Sequence, residues 1–198
     1  MRHEEHPADL PDVRANRDAR KWSRKEQFAR VLWALALPLF RYSPRPVWGW
    51  RRGLLRLFGA RVGAGVHIYP SVRLTMPWNM TFADEAAVGE GAILYALGPM
   101  RIGARATISQ YAHLCGGTHA WRDPARPLVK SPITIEDGAW ICADAFVGPN
   151  VRVGAGAIVG ARAVAVRDVP AFTVVAGNPA RPIRRISANE AGGEPPPC

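Results

Sequence analysis

The residues best suited to chemistry lie in one segment of the chain, CGGTHAWRDPARPLVKSP, at positions 115–132. His119 is a candidate general base there, because the pKa of histidine lies near working pH. Trp121 and Asp123 follow it closely, and the Asp123 carboxylate is a candidate polar partner for His119 or for a substrate. A single histidine is more often structural than catalytic, so the prediction depends on the elements that position this one.

Apolar residues recur at every sixth position on both sides of that segment, with two slips of two residues in the first half. They are Val62, Ile68, Leu74, Met80, Phe82, Val88, Leu94, Met100, Ile102, Ile108 and Leu114, and then Ile135, Ile141, Val147, Val153, Val159 and Ala165. Six residues of an α-helix turn by about 240°, which would spread these side chains around the whole helix. A coil with three flat sides of six residues instead points one aliphatic residue inward on each side, and a glycine after that residue permits the turn. The chain is therefore predicted to be all-β, with a parallel β-helix of about five 18-residue coils within residues 62–186.

The segment 115–132 interrupts the repeat and is predicted to be an excursion loop without regular structure. A long loop of this kind in a compact domain is often functional. The exposed sides of a single β-helix also favour a symmetric oligomer.

The net charge of +10 is concentrated in the first 61 residues, which carry 14 Lys and Arg against 6 Asp and Glu. We expect a flexible tail over residues 1–20 and a basic, Trp-rich helical segment over residues 21–61, with two short helices separated by Pro44 and Pro46. This segment suits contact with an anionic membrane surface through residues 21–58, or packing as a cap on the main domain, and the two hypotheses are compatible. The nearly neutral remainder does not suit a nucleic-acid binder. A second tail is expected at residues 187–198.

Cysteine usage favours a reducing compartment. The three cysteines are an odd number without a C-x-x-C pair, so neither a disulfide framework nor a structural zinc site is expected. The chain shows no signal-peptide pattern and no apolar run that could span a bilayer. We therefore expect a cytoplasmic protein, with peripheral association with the inner face of the membrane as a further hypothesis.

Two other chemistries use residues of the same region. A zinc hydrolyase of the carbonic anhydrase type would need three convergent histidines, and the repeat region contains His67, His113 and His119. A covalent route with a cysteine nucleophile would use Cys115 or Cys142, although a buried cysteine commonly serves as a small hydrophobic residue.

The stretch from Pro77 to Trp140 resembles hexapeptide-repeat acetyltransferases, most of all the colanic acid biosynthesis acetyltransferases, beside the galactoside and maltose O-acetyltransferases. The stretches RPVWGWRRGLLRLFGARVGAGVHIYPS and AGNPARPIRRI are similar to the same family, so the resemblance covers about residues 20–186. It implies a left-handed β-helix, a homotrimer with active sites between subunits, and transfer of acetyl from acetyl-CoA to a sugar hydroxyl without a metal. The alternative is a non-catalytic trimeric scaffold that docks on anionic membrane.

The resemblance also implies roles for individual residues. His119 matches the catalytic histidine, and the backbone N–H of Ala143 matches the donor to the oxyanion. Trp140 matches a tryptophan near the pantetheine arm. The remaining matches to coenzyme contacts are Ala161, Val166, Arg167, Arg181 and Arg184, the two last near the phosphates and adenine. Tyr95, Trp121 and Asp123 are candidates for the acceptor side.

The sequence departs from the family pattern at Ala96, Ala120 and Val166. Relatives often have an asparagine that faces the acceptor at the first position, an aspartate beside the histidine at the second and a threonine at the third. The first two departures concern the acceptor sugar more than the chemistry, so the resemblance does not name the sugar or its hydroxyl.

Overall fold

The computed structural model describes residues 12–187. The chain begins there with three helices, α1 (Val13–Asp18), α2 (Arg24–Arg41) and α3 (Trp48–Leu57). No helix among the described residues is long and apolar enough to cross a membrane. The two helices expected between residues 21 and 61 are α2 and α3, and Pro44 and Pro46 lie between them.

Three parallel sheets follow, and the chain visits their strands in rotation as far as β17. Sheet 1 contains β1 (Arg61–Val62), β4 (Met80–Phe82), β7 (Met100–Ile102), β12 (Ile133–Ile135) and β15 (Arg152–Val153). Sheet 2 contains β2 (His67–Ile68), β5 (Ala87–Val88), β8 (Thr107–Ile108), β13 (Trp140–Ile141), β16 (Ile158–Val159), β18 (Thr173–Ala176) and the antiparallel edge strand β19 (Arg181–Arg185). Sheet 3 contains β3 (Arg73–Thr75), β6 (Ile93–Tyr95), β9 (His113–Cys115), β14 (Phe146–Val147) and β17 (Val164–Ala165). This rotation is the parallel β-helix that the six-residue period predicts.

The coils differ in length, and the register of sheet 1 shows where. Arg61 pairs with Thr81 and Thr81 with Arg101, so each of the first two coils has 20 residues. Thr134 pairs with Arg152, so the fourth coil has 18. The uniform 18-residue coil was wrong for the first half, because each slip of two in the apolar repeat lengthens one coil by two residues.

The core is the interior of this triangular tube. The inward series of large aliphatic residues is buried from Ile68 to Val159. The alanines that follow four residues later, such as Ala139 and Ala163, are fully buried as well. The interior is thus filled by one large and one small apolar residue on each side of the tube.

Several glycines that follow an inward residue are needed because the next coil passes too close for a side chain, not because they form the turn. A Cβ atom at Gly103 would lie 2.5 Å from the carbonyl carbon of Glu136 in the next coil, and one at Gly154 would lie 2.4 Å from the Ala171 nitrogen. The left-handed backbone of the corner falls two residues later, at Gly156 and, without glycine, at Arg105. The prediction that these glycines permit the turn was therefore wrong, because the residues with left-handed backbone are others.

The helices close the first end of the tube. The indole Nε1 of Trp33 donates to the carbonyl of Leu74, and the buried guanidinium of Arg51 donates to the carbonyl of Ile68. Burial lowers the pKa of Arg51 from its ordinary value. These contacts support the hypothesis that the helical segment packs as a cap on the main domain.

The tail expected at residues 1–20 is only partly within the described residues. From Asp12 onward it is not loose: α1 is N-capped by the Asp12 carboxylate, and the Asp12 amide donates to the carbonyl of Pro124. The polar composition of this segment predicts a solvated tail, but α1 packs on the rest of the chain and its polar groups find partners there. Residues 1–11, and all but the first residue of the expected tail at 187–198, lie outside the described range.

Candidate active site

The segment 115–132 contains a two-stranded antiparallel ribbon. Strands β10 (Gly117–His119) and β11 (Leu128–Lys130) pair with Gly117 opposite Lys130 and His119 opposite Leu128. The expectation of a loop without regular structure was therefore wrong. The base of the ribbon packs closely against the coil: a Cβ atom at Gly98 would lie 2.4 Å from the carbonyl oxygen of Ser131.

His119 ends the first strand of the ribbon with its side chain exposed. Its Nδ1 atom lies 2.7 Å from the carbonyl oxygen of Arg126. A carbonyl oxygen can only accept, so Nδ1 carries the proton and donates. The neutral ring then has its lone pair on Nε2, which is the atom that can take a proton from a substrate.

The turn that supplies this carbonyl is built by Asp123. The side-chain carboxylate of Asp123 accepts from the amide of Ala125, and the backbone carbonyl of Asp123 accepts from the amide of Arg126. Arg126 has φ 43°, in the left-handed region. The ring of His119 bonds to Arg126 and not to Asp123, so Asp123 shapes the turn that orients the histidine.

A cleft of about 580 Å³ adjoins His119. Trp121 lines it and is 72% exposed, with the Arg122 guanidinium 4.7 Å from its ring centroid. The cleft is also lined by Asn16 of α1, so the helical N-terminus and the ribbon form it together.

Tyr95 and Ala96 lie beside the base of the ribbon. Tyr95 pairs with Cys115, and its carbonyl accepts from the amide of Gly116. Ala96 is fully buried, and its carbonyl accepts from the side-chain amide of Asn79. Ala96 therefore presents no side chain to the cleft, which explains why a small residue is sufficient there.

Ala143 and Ala161 stack at the corner between sheets 2 and 3. The carbonyl of Ala143 accepts from the amide of Arg162, and Asp144 and Arg162 both have left-handed φ values. Within residues 12–187 the amide of Ala143 has no hydrogen-bond acceptor. A half-buried backbone donor without a partner suits an anionic oxygen.

Trp140 lies near the same corner on sheet 2. It is half-buried, and its indole Nε1 donates to the hydroxyl of Ser109 at 2.8 Å. The ring therefore lies on the outer surface of the sheet with a fixed orientation, and it is not one of the core side chains.

Two of the three arginines matched to coenzyme contacts lie in the same cleft. Arg167 and Arg181 line one small cleft of about 230 Å³, and Val166 is exposed beside them. Arg184 lies opposite Val174, whereas Arg181 lies opposite Ala176, because the register shifts between Val174 and Val175. Opposite residues of antiparallel strands share a face, so the bulge places Arg181 and Arg184 on the same face despite their odd separation.

His119 and Ala143 belong to different corners of the tube. The ribbon leaves between sheets 3 and 1, after β9 and before β12, whereas Ala143 lies between sheets 2 and 3. One chain thus does not bring the candidate base and the candidate oxyanion donor together.

The other histidines and cysteines are used elsewhere. His67 stacks on Trp48, His113 packs edge-on against Phe146, and burial lowers the pKa of His113. Cys115 donates to the carbonyl of Gly117, and Cys142 is buried. No group of three His, Cys, Asp or Glu side chains within residues 12–187 could hold a metal ion.

A further set of contacts ties the N-terminal helices to the ribbon, and sequence reasoning missed it. Asn16 donates to the carbonyls of Ala125 and Arg126, 109 and 110 residues away. Lys130 forms an ion pair with Glu26 at 3.2 Å and lies 4.0 Å from the ring centroid of Trp22. The six-residue period carries no signal for these contacts, because they lie outside the repeat.

Comparison with known proteins supplies the family. The chain is 43% identical over 155 residues to WcaF of Escherichia coli (strain K12), which is named as a colanic acid biosynthesis acetyltransferase; the match covers 78% of this chain and 85% of WcaF. The chain belongs to the colanic acid biosynthesis acetyltransferase family. It is therefore an acyltransferase, and the non-catalytic scaffold is set aside. No protein-family model matches the chain.

Solved structures confirm the fold expected for this family. A galactoside acetyltransferase in complex with coenzyme A aligns with a TM-score of 0.79 at 22% identity, over 90% of each chain. A hexapeptide-repeat acetyltransferase of Vibrio cholerae O1 biovar eltor, complexed with acetyl coenzyme A, aligns with a TM-score of 0.77 at 23% identity, over 85% of this chain and 92% of that one. The β-helix of this colanic acid biosynthesis acetyltransferase family member is left-handed, as the resemblance implied.

Proposed function

We propose that the chain transfers acetyl from acetyl-CoA to a hydroxyl of a sugar or of an exopolysaccharide or glycolipid precursor, with His119 as general base. The observation that carries this is the bond from His119 Nδ1 to the carbonyl of Arg126, which leaves Nε2 ready to accept a proton. The family assignment supports the reaction class, and the acceptor class comes from what the family name says of WcaF.

The protein's own groups suffice for a direct transfer. Nε2 of His119 takes the proton of the acceptor hydroxyl while that oxygen attacks the thioester carbonyl, an assistance that contributes about 10²–10⁴-fold. The Ala143 N–H donates to the carbonyl oxygen as it becomes negative. The carbon–sulfur bond then breaks, and the protonated His119 returns its proton to the departing sulfur. No covalent acetyl-cysteine is needed.

The coenzyme residues fit acetyl-CoA in their chemistry. Arg181 and Arg184 share one face of β19, and guanidinium groups bind phosphate through a planar fork. Trp140 offers an oriented aromatic surface at the corner that carries Ala143 and Ala161. Val166 and Arg167 lie after β17 at the end of the last coil.

We propose a homotrimer as the active assembly. Because the ribbon and Ala143 leave one chain at different corners, a neighbouring copy must bring a second corner to each His119. Light scattering on a size-exclusion column should give three times the 21.6 kDa of one chain. A monomer that is fully active would contradict this assembly.

The transfer itself is tested with His119→Ala. Release of coenzyme A from acetyl-CoA is measured against a panel of free and nucleotide-linked sugars. The wild type is expected to acetylate at least one sugar, and His119→Ala is expected to lose about 10²–10⁴-fold while its binding of acetyl-CoA in calorimetry is unchanged. Val129→Ala is the matched control and should transfer like the wild type, because it shortens an exposed side chain of the same ribbon that does not line the cleft. Full transfer by His119→Ala would contradict the proposed base.

A second proposal concerns the partner of α2 and α3, which we take to be an anionic membrane surface. Large apolar side chains are exposed on these helices, namely Phe28, Val31, Leu35, Leu39, Trp50 and Leu57, and Tyr42 is exposed directly after α2. Arg24, Lys25, Arg41 and Arg56 lie on the same two helices. Apolar residues flanked by cations suit the boundary between headgroups and acyl chains, at the inner face of the membrane.

Vesicle flotation tests this second proposal. The full chain is expected to bind vesicles containing phosphatidylglycerol, with weaker binding in high salt because screening reduces the attraction. Leu35→Ser with Leu39→Ser should reduce binding, whereas Ile183→Ser, which removes an equally exposed apolar side chain from β19, should not. Equal binding by all three proteins would contradict the proposal.

A further inference from the structure

The carbonyl oxygen of Arg126 accepts two hydrogen bonds, one from the same ribbon and one from the N-terminal helix α1. One comes from Nδ1 of His119 and the other from Nδ2 of Asn16, each at 2.7 Å. The same Asn16 amide also donates to the carbonyl of Ala125 at 2.8 Å. A carbonyl has two lone pairs, so both donors can bond to it at once.

We propose that Asn16 is a positioning residue for His119: it holds the Arg126 carbonyl in the direction that fixes the tautomer and orientation of the imidazole. The inference rests on the proposed role of His119 as base. Asn16 acts through the carbonyl and does not itself handle the proton.

The Arg126 carbonyl needs such support because its backbone is strained. A residue other than glycine at φ 43° has its Cβ atom close to the following carbonyl oxygen, at a cost of roughly 1–2 kcal/mol. Strained backbone at a functional site persists only where the surroundings hold it. Here Asp123 holds the amide of Arg126, and Asn16 holds its carbonyl.

The orientation of the Asn16 amide follows from its partners. Its Oδ1 accepts from the Lys21 ammonium at 2.8 Å, and that group can only donate. Its Nδ2 faces two carbonyl oxygens, which can only accept. The opposite assignment of the amide would place like groups against each other on both sides, so the bonds identify the two atoms.

The N-terminal segment that carries Asn16 is attached to the ribbon at two further points, one at the start of α1 and one on α2. The Asp12 amide donates to the carbonyl of Pro124, and Asp12 also caps α1 through the amide of Ala15. Further along, Lys130 pairs with Glu26 of α2. Hydrogen bonds to Ser23 of the helix cap, ahead of this ion pair, lower the pKa of Glu26 and keep it charged. The N-terminal segment thus has a fixed place on the ribbon from which Asn16 can act.

Asn16→Asp isolates the two bonds in question. The aspartate keeps the size of the side chain and the contact with Lys21, but it replaces the Nδ2 donor by an oxygen that repels both carbonyls. Asn16→Ala removes the side chain altogether and serves as the second variant. Lys21→Met is the matched control, because it removes the other bond of Asn16 and leaves Nδ2 in place.

The first readout is the side-chain ¹⁵N spectrum of His119 in the intact protein, assigned by comparison with His119→Ala. The wild type is expected to show a protonated Nδ1 and an unprotonated Nε2, and Lys21→Met the same. Asn16→Asp and Asn16→Ala are expected to shift towards a mixture of tautomers. An unchanged His119 spectrum in either folded variant overturns the inference.

The second readout is kinetic, with acetyl-CoA and the sugar that gives the highest rate in the panel. Asn16→Asp is expected to lower kcat about tenfold, to change the pH profile and to leave the KM for acetyl-CoA unchanged. A rise in that KM with an unchanged kcat and pH profile overturns the inference. Failure of the proposed function is distinguishable: there the spectrum shifts in Asn16→Asp, but His119→Ala still transfers acetyl.

Discussion

The guanidinium of Arg51, on α3, donates from Nε to the carbonyl of Ile68 at 2.7 Å and so joins the helical segment to the first coil of the β-helix. The same side chain also donates to the hydroxyl of Ser43 and to the carbonyls of Pro44 and Arg45. It is 1% exposed and lies 4.7 Å from the ring centroid of Trp48. One buried cation therefore satisfies three acceptors of the turn between α2 and α3 and one of the first coil, at the end of the tube that the helices close.

Arg51→Met is expected to lower the free energy of unfolding by about 3 kcal/mol, because the buried acceptors lose their donor and keep the cost of desolvation. The measurement is the midpoint of urea unfolding followed by circular dichroism. Arg52→Met is the matched control: Arg52 is half-buried and makes one bond, to the carbonyl of Val66, so its loss should cost about 1 kcal/mol. Equal midpoints for the two variants would contradict the role of Arg51.

Two glycines give opposite predictions for the same substitution. Gly98→Ala puts a Cβ atom 2.4 Å from the carbonyl oxygen of Ser131 at the base of the ribbon, so it should cost about 1–3 kcal/mol and disturb His119. Gly53→Ala lies within α3, where a Cβ atom meets nothing within 4 Å, so it should add about 0.5–1 kcal/mol. Thermal unfolding should therefore move in opposite directions for the two variants. A Gly98→Ala protein as stable as the wild type would show that close approach is not what selects glycine at position 98.

The six-residue repeat was sufficient to predict the tube, its inward residues and the interruption at 115–132. It also contained the longer coils, because its slips of two place Thr81 opposite Arg61, although the coil length was taken as uniform. The position of His119 was predictable from the resemblance, but its tautomer was not. That depends on a turn with a left-handed Arg126 and on Asn16, contacts that arise from tertiary packing across 110 residues.

Burial lowers the pKa of His113, and this makes the stability of the protein dependent on pH. The unfolded chain then binds a proton more readily than the folded chain, so stability is lost as pH falls from the unfolded value, about 6.5, towards the folded pKa. Above that window the effect is absent. His113→Gln should make the unfolding midpoint less sensitive to pH between about 7.5 and 5.5. An identical pH dependence in wild type and His113→Gln would contradict this assignment.

The strain at Arg126 predicts a difference between two substitutions that both remove its side chain. Glycine adopts φ 43° freely, whereas alanine pays roughly 1–2 kcal/mol for it. Arg126→Gly should therefore retain the Nδ1-protonated tautomer of His119, and Arg126→Ala should be less stable and lower in kcat. The two variants share the loss of the guanidinium, so a comparison of their unfolding midpoints and rates isolates the backbone. A more active Arg126→Ala would rule out the need for a left-handed residue.

The bulge in β19 predicts which arginines contact the coenzyme. Arg184 and Arg181 share a face across the register shift, while Arg185 lies opposite Thr173, the neighbour of Val174, and so faces the other side. Arg184→Gln should raise the KM for acetyl-CoA about tenfold, because a bond to a charged group contributes about 1.5–3 kcal/mol. The KM for acetyl-pantetheine, which lacks the nucleotide phosphates, should stay the same, and Arg185→Gln should leave both values unchanged. If Arg184→Gln weakened both substrates equally, its guanidinium would support the strand and not a phosphate.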